Sequence, residues 1–105
     1  MAIVSRYLTI TQGNIDNRHM YLTECMDLFP DDVIGGPDES QAAPRTVRVH
    51  FGSEFVDTDI DRDKHIFRRR GWVPKFFSEA RVTAGDQVLL EQLEPYTYRV
   101  SRAEA

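Results

Sequence analysis

The stretch whose reading decides the fold is RGWVPKFFSEARVTAGDQVLLE, Arg70 to Glu91. Pro74 suits a first helical position, where its missing N–H is an orphan in any case. Phe76, Phe77 and Ala80 then fall on one stripe that a short helix would bury. Thr83-Ala84-Gly85-Asp86 is a tight turn, and QVLLEQL after it reads as an apolar strand.

Working outward, EPY is a second turn and TYRVSR a closing strand. On the N-terminal side KHIFRR is an extended segment. RTVRVHF sets Val47, Val49 and Phe51 against Arg48 and His50, the alternation of a half-buried strand with a basic outer face. EFVDTDID alternates again, with its aspartates on a solvated strand face. SRYLTIT is a strand, GNIDN a turn, and RHMYLT a second strand with Met20 and Leu22 on one side. ECMDLFP holds a helical turn stopped by Pro30. DDVIGGPDESQAAP, residues 31–44, is dense in Gly, Pro, Asp and Ser and reads as a surface loop, the most mobile part of the chain. The expected fold is therefore mainly β, with roughly seven short strands and one or two short helices in a closed or partly closed barrel. Its 105 residues make a single domain, 1–105.

Apolar content of 41% and charged content of 29% are those of an ordinary globular protein. No apolar run approaches the roughly 20 residues that span a bilayer. MAIVSRYLTI is too short and too polar for a secretory signal, so cytoplasmic residence and no membrane partner are expected. Cys25 is the single cysteine, which excludes an internal disulfide; with no base beside it, it reads as a small apolar residue.

Charge is unevenly placed. The chain carries a net −4, yet residues 45–81 hold nine of the thirteen Lys and Arg against six acids, a local +3. The rest of the chain is −7. Such polarity can steer a polyanion to one face.

Catalytic and metal patterns do not assemble. DTDIDRD places acids at alternate positions, but a calcium loop counted from Asp57 needs glycine sixth and glutamate twelfth, where Arg62 and Arg68 stand. DRDK lacks the carboxylate spacing of a metal-dependent nuclease. His19, His50 and His65 lack metal-ligand spacing, IGGPD is no phosphate loop, and no serine sits in a nucleophile elbow. The expectation is a protein without catalytic residues, metal or cofactor.

Two groups of hydrogen-bond donors remain. TQGNIDNRH gathers Gln12, Asn14, Asn17, Arg18 and His19 after the first strand. DRDKHIFRRR gathers Arg62, Lys64, His65, Arg68, Arg69 and Arg70. Asn and Gln can bond adenine bidentately, Arg can do the same to guanine, and Lys and Arg hold phosphates.

These motifs in this order resemble the B3-like DNA-binding pseudobarrel, a seven-stranded open barrel found in plant transcription factors. The similarity is closer still to the N-terminal effector domain of EcoRII-type restriction endonucleases. It runs from LTITQGNIDNRHMYL through Phe29-Pro30 to YRV at 98–100, with Gly71, Trp72, Phe76, Gly85, Asp86 and Val88 in matching places. The resemblance implies two arms that grip the major groove of double-stranded DNA: an N-arm at Gln12–His19 and a C-arm at about Asp57–Arg70. It also implies a monomer on DNA, with Trp72, Phe76 and Phe77 as core behind the arginine edge. No nuclease domain accompanies the module, so the expectation is sequence-specific binding without cleavage, in a small regulator or beside a fused or separate nuclease partner. Asp57, Asp59, Asp61 and Asp63 depart from this picture, since phosphate would repel them unless they orient arginines or accept from cytosine. A second reading follows from the acidic total: a protein-interaction or DNA-mimic module that kept the barrel without DNA binding.

Overall fold

The computed structural model describes residues 4–103, which excludes both ends of the chain and the last two residues of its SRAEA tail. In chain order the elements are β1 (Val4–Thr9), α1 (Gln12–Asn17), β2 (Ile34–Gly35), β3 (Val47–Phe51), β4 (Glu54–Thr58), β5 (Ile60–Asp61), β6 (Ile66–Phe67), α2 (Val73–Glu79), β7 (Gln87–Glu94) and β8 (Thr97–Arg102). Single 3-10 segments lie at Thr23–Leu28, Asp31–Val33 and Glu39–Gln41. The fold is mainly β with two short α-helices. Five strands form one sheet in the order β1-β7-β8-β3-β4, all neighbours antiparallel except the parallel pair β3–β8. The other three form a small sheet, β2-β5-β6, of two-residue strands. Among the described residues no ladder joins the two sheets, so they do not close into a barrel.

The core lies on the inner face of the larger sheet, where period-2 side chains from four strands converge: Leu8, Val47, Val49, Val88, Leu90, Tyr98 and Val100 are all buried. Helix α2 adds Val73, Phe76 and Phe77 as expected, and Trp72 stacks on Phe51 with ring centroids 4.9 Å apart. Each fully buried aliphatic or aromatic side chain here contributes about 1.5–3 kcal/mol. Cys25 is part of this core; burial, then the Asp27 charge, push its thiol up to about 11. No described helix is long and apolar enough to cross a membrane.

Four local readings of the sequence need correction, each for a physical reason. GNIDN is not a bare turn but the body of α1. Thr11 Oγ1 accepts from the Asn14 N–H at 3.1 Å while Asn14 Oδ1 accepts from the Thr11 N–H at 2.9 Å, a reciprocal cap that outweighs the poor helix propensity of Gly13 and Asn17. Arg18 closes the helix in the left-handed region, at φ 58°. RHMYLT keeps its alternation, with Met20 and Leu22 buried and Tyr21 exposed, but it joins no ladder; the Leu22 N–H donates instead to the His65 carbonyl at 2.7 Å.

Segment 31–44 is not a free loop. Val33 is fully buried, β2 pairs with β5, and the Tyr96 hydroxyl donates to Asp32 at 2.9 Å. Gly35 makes this packing possible, because a Cβ there would stand 2.6 Å from the Ala43 nitrogen and 2.7 Å from the Gln41 carbonyl oxygen. Finally, the aspartates of EFVDTDID do not share a solvated face. Thr58, Asp59, Ile60 and Asp61 are buried in succession where the chain passes from the large sheet to the small one.

Candidate nucleic-acid interface

Asp61 builds the hairpin between β5 and β6. Its Oδ1 accepts from the Asp63 and Lys64 N–H groups at 2.9 and 3.0 Å, an Asx turn that folds Arg62-Asp63-Lys64-His65 over itself. His65 then takes φ 56° and its N–H returns to the Asp61 carbonyl at 2.8 Å. A non-glycine residue in this region is strained. Among the described residues there are three, and two of them, Arg18 and His65, belong to the two donor-rich segments. The result is that Arg62 and Lys64 project from a turn whose carboxylate is occupied with the backbone.

The arginine edge is pinned by its main chain. The Arg69 N–H donates to Thr58 Oγ1 at 2.9 Å, and the Trp72 indole N–H donates to the Arg69 carbonyl at 2.7 Å. Trp72 thus packs against the core and fixes the edge, while the Arg69 and Arg70 side chains stay exposed. Arg68 behaves differently. Its Nε bonds Asp59 at 2.8 and 3.0 Å and its Nη2 donates to the Gly36 carbonyl at 2.6 Å. Asp59 raises its pKa further through that hydrogen bond. The guanidinium is mostly buried and its donors are engaged within the protein.

The first donor group meets the second at His19. Arg70 Nη1 lies 3.4 Å from His19 Nδ1, and the imidazole packs on the Tyr21 ring at 4.6 Å between centroids. Burial, then the charges of Arg70 and Lys64, hold the His19 pKa below its ordinary value, and Arg70, which can only donate, faces the Nδ1 lone pair. Its Nε2 is buried without a protein partner. His65 Nδ1 lies 3.1 Å from Thr23 Oγ1, which ties the second segment to the 3-10 turn at Thr23–Leu28. Gln12, Asn17 and Arg18 are exposed on α1 and at its end, with the Gln12 amide on Asp16 and the Asn17 amide on the Gly13 carbonyl. Asn14 is buried in the cap, so its side chain supports α1 and does not face solvent.

Behind the arginine edge opens a cleft of about 420 Å³. Its lining includes Lys64, Arg69 and Arg70, the buried Thr58, Asp59 and Asp61, and Pro37, Glu39, Ala42 and Ala43 from segment 31–44. Ion pairing divides the cations sharply. Arg6, Arg45, Arg48, Arg68, Lys75, Arg99 and Arg102 each sit against a carboxylate. Among the described residues the rest, Arg18, Arg62, Lys64, Arg69, Arg70 and Arg81, make no salt bridge. Five of those six belong to the two donor groups, and all six are exposed.

The structure therefore brings His19, Lys64, His65 and Arg70 together and keeps Arg62 and Arg69 on the same hairpin and edge. It withdraws Asn14 and Arg68 into supporting roles. The far wall of the cleft went unseen in the sequence, although the Gly35-Gly36 pair signals a close backbone approach. Among the described residues no cluster of three His, Cys, Asp or Glu is arranged to hold a metal ion. Comparison with family models, with curated proteins and with solved structures gives no match.

Proposed function

We propose that this chain binds double-stranded DNA sequence-specifically and without catalysis, using the cleft and the α1 end as the two arms of an open, B3-like pseudobarrel whose halves are the two sheets. The observation that carries the proposal is the segregation of unpaired cations: of the six described Lys and Arg without a salt bridge, all but Arg81 (Arg18, Arg62, Lys64, Arg69 and Arg70) belong to the two donor groups. Bare, exposed Lys and Arg on pinned backbone suit phosphate contacts, which position a duplex. Gln12 and Asn17 on α1 are the candidates for base edges, because amide groups supply bidentate pairs in the major groove. His19 and His65 join the arms, and Asn14 and Arg68 hold them.

On this reading the protein acts as a monomer in the cytoplasm, as a small regulator or as the recognition part of a restriction-like system with a nuclease partner. Most of the aspartate series is withdrawn from the arms, since Asp59 and Asp61 are each only 5% exposed and Asp57 is bonded to Arg48 at 2.9 Å, while Asp63 stays exposed between Arg62 and Lys64. The test is fluorescence anisotropy of the purified chain with a randomised duplex pool across a salt series, followed by sequencing of the retained fraction. A steep salt slope with an enriched motif is expected. No binding at low salt would sink the proposal and leave the protein-interaction module in its place.

A further inference from the structure

The 420 Å³ cleft has a wall that the two arms do not account for, the segment Gly36–Ala43. This segment is built as a rigid part. The Gly36 N–H donates to the Gln41 carbonyl at 2.8 Å, and Asp38 caps the short 3-10 turn Glu39–Gln41. Both of its ends are bonded to one ion pair. Gly36 O accepts from Arg68 Nη2 at 2.6 Å and the Ala43 N–H donates to Asp59 Oδ2 at 2.8 Å, while Arg68 and Asp59 bond each other. The side chains of that pair are 14% and 6% exposed. Gly35 leaves the room for it, since a Cβ there would stand 2.8 Å from Arg68 Nη2. Pro37, Glu39 and Ala42 are exposed and line the same cleft as Lys64, Arg69 and Arg70.

From this we infer that Gly36–Ala43 is a third DNA-contacting element, and that Arg68 and Asp59 are positioning residues that set its distance from the arginine edge. The inference rests on the DNA-binding reading above. The side chains this wall turns to the cleft, Pro37, Glu39, Ala42 and Ala43, include no Lys or Arg and suit base edges better than phosphates. Alanine can pack on a pyrimidine methyl group, and a carboxylate can accept from the cytosine amino group. Arg68 then contributes to DNA affinity through geometry, with no counterion released by its own charge.

Four variants test this on the full chain. Ala42→Glu leaves the ion pair untouched and places a second carboxylate on the wall; it should weaken binding to the selected duplex at least about tenfold. Glu39→Gln should alter base preference at one position of the enriched motif. Arg68→Lys keeps the charge but loses the fork that reaches Asp59 and Gly36 together. In the free protein it should speed amide exchange at Ala43, and on DNA it should lower affinity with the salt slope unchanged. Ala42→Glu binding like the wild type, with the wild type binding DNA, would overturn the inference and leave the DNA reading standing. A salt slope reduced by about one in Arg68→Ala would also overturn it, by making Arg68 a phosphate contact. Absence of DNA binding by the wild type would overturn both, and Ala43 exchange in the free protein would then still report whether the pair holds the wall.

Discussion

Removing the Arg69 and Arg70 side chains together should flatten the salt dependence of DNA binding by a calculable amount. Five cations around the cleft and the α1 end lack an internal carboxylate, so all five are free to replace counterions on the duplex. Each phosphate neutralised adds about −0.9 to the slope of log affinity against log salt, which gives about −4.5 for five contacts and about −2.7 for three. Between about 50 and about 200 mM salt the wild type should then lose about 500-fold in affinity and the double variant about 40-fold. The fold should tolerate Arg69→Ala with Arg70→Ala, since both side chains are exposed and the bonds that pin the edge are made by the Arg69 main chain, to Thr58 and Trp72. Arg99→Ala is the control, because Arg99 is bonded to Glu91 at 3.0 Å on the outer face of the large sheet. Anisotropy titrations at five or six salt concentrations read the slopes directly. A double variant with the wild-type slope would refute the reasoning, however much its affinity fell.

Trp72→Phe keeps the ring stack on Phe51 but removes the indole N–H from the Arg69 carbonyl; it should cost about 0.5–1.5 kcal/mol in denaturant unfolding and weaken DNA binding with the salt slope retained. Asp59→Ala leaves the Arg68 guanidinium buried without its carboxylate and should lower stability by about 3–5 kcal/mol, measured by urea titration, with replacement of both residues by apolar ones less costly than this single change. His19 gives a pH dependence whose sign is fixed by its lowered folded pKa. As pH falls below the unfolded value of 6.5 the unfolded chain takes up a proton that the buried ring resists, so stability is fully present above that pH and is lost as pH falls through the folded value. Urea midpoints measured through that range should fall in the wild type and fall less in His19→Gln; identical profiles would show that His19 does not titrate differently on folding.

What the sequence determines by itself is the set of features with a short period. Pro74 and the Phe76-Phe77 pair place α2, Gly85 takes its turn at φ 94°, and the alternations of β3, β7 and β8 each point the right residues into the core. Met20 and Leu22 are buried as their spacing demands even though no strand forms around them. In each case the decisive neighbours lie within a few residues, so local pattern is enough. The site is a different matter. Asn14 and Arg68 look like their solvent-facing neighbours in the sequence, and only the tertiary structure shows one closed in a cap and the other closed on Asp59 and on Gly36, thirty-two residues away. The cleft wall at Gly36–Ala43, the neutral His19 beside Arg70 and the separation of paired from bare cations follow from the same cause. Burial and charge pairing are settled by which distant segments meet, and side chains of one chemical type take opposite roles according to whether a carboxylate arrives from elsewhere in the chain.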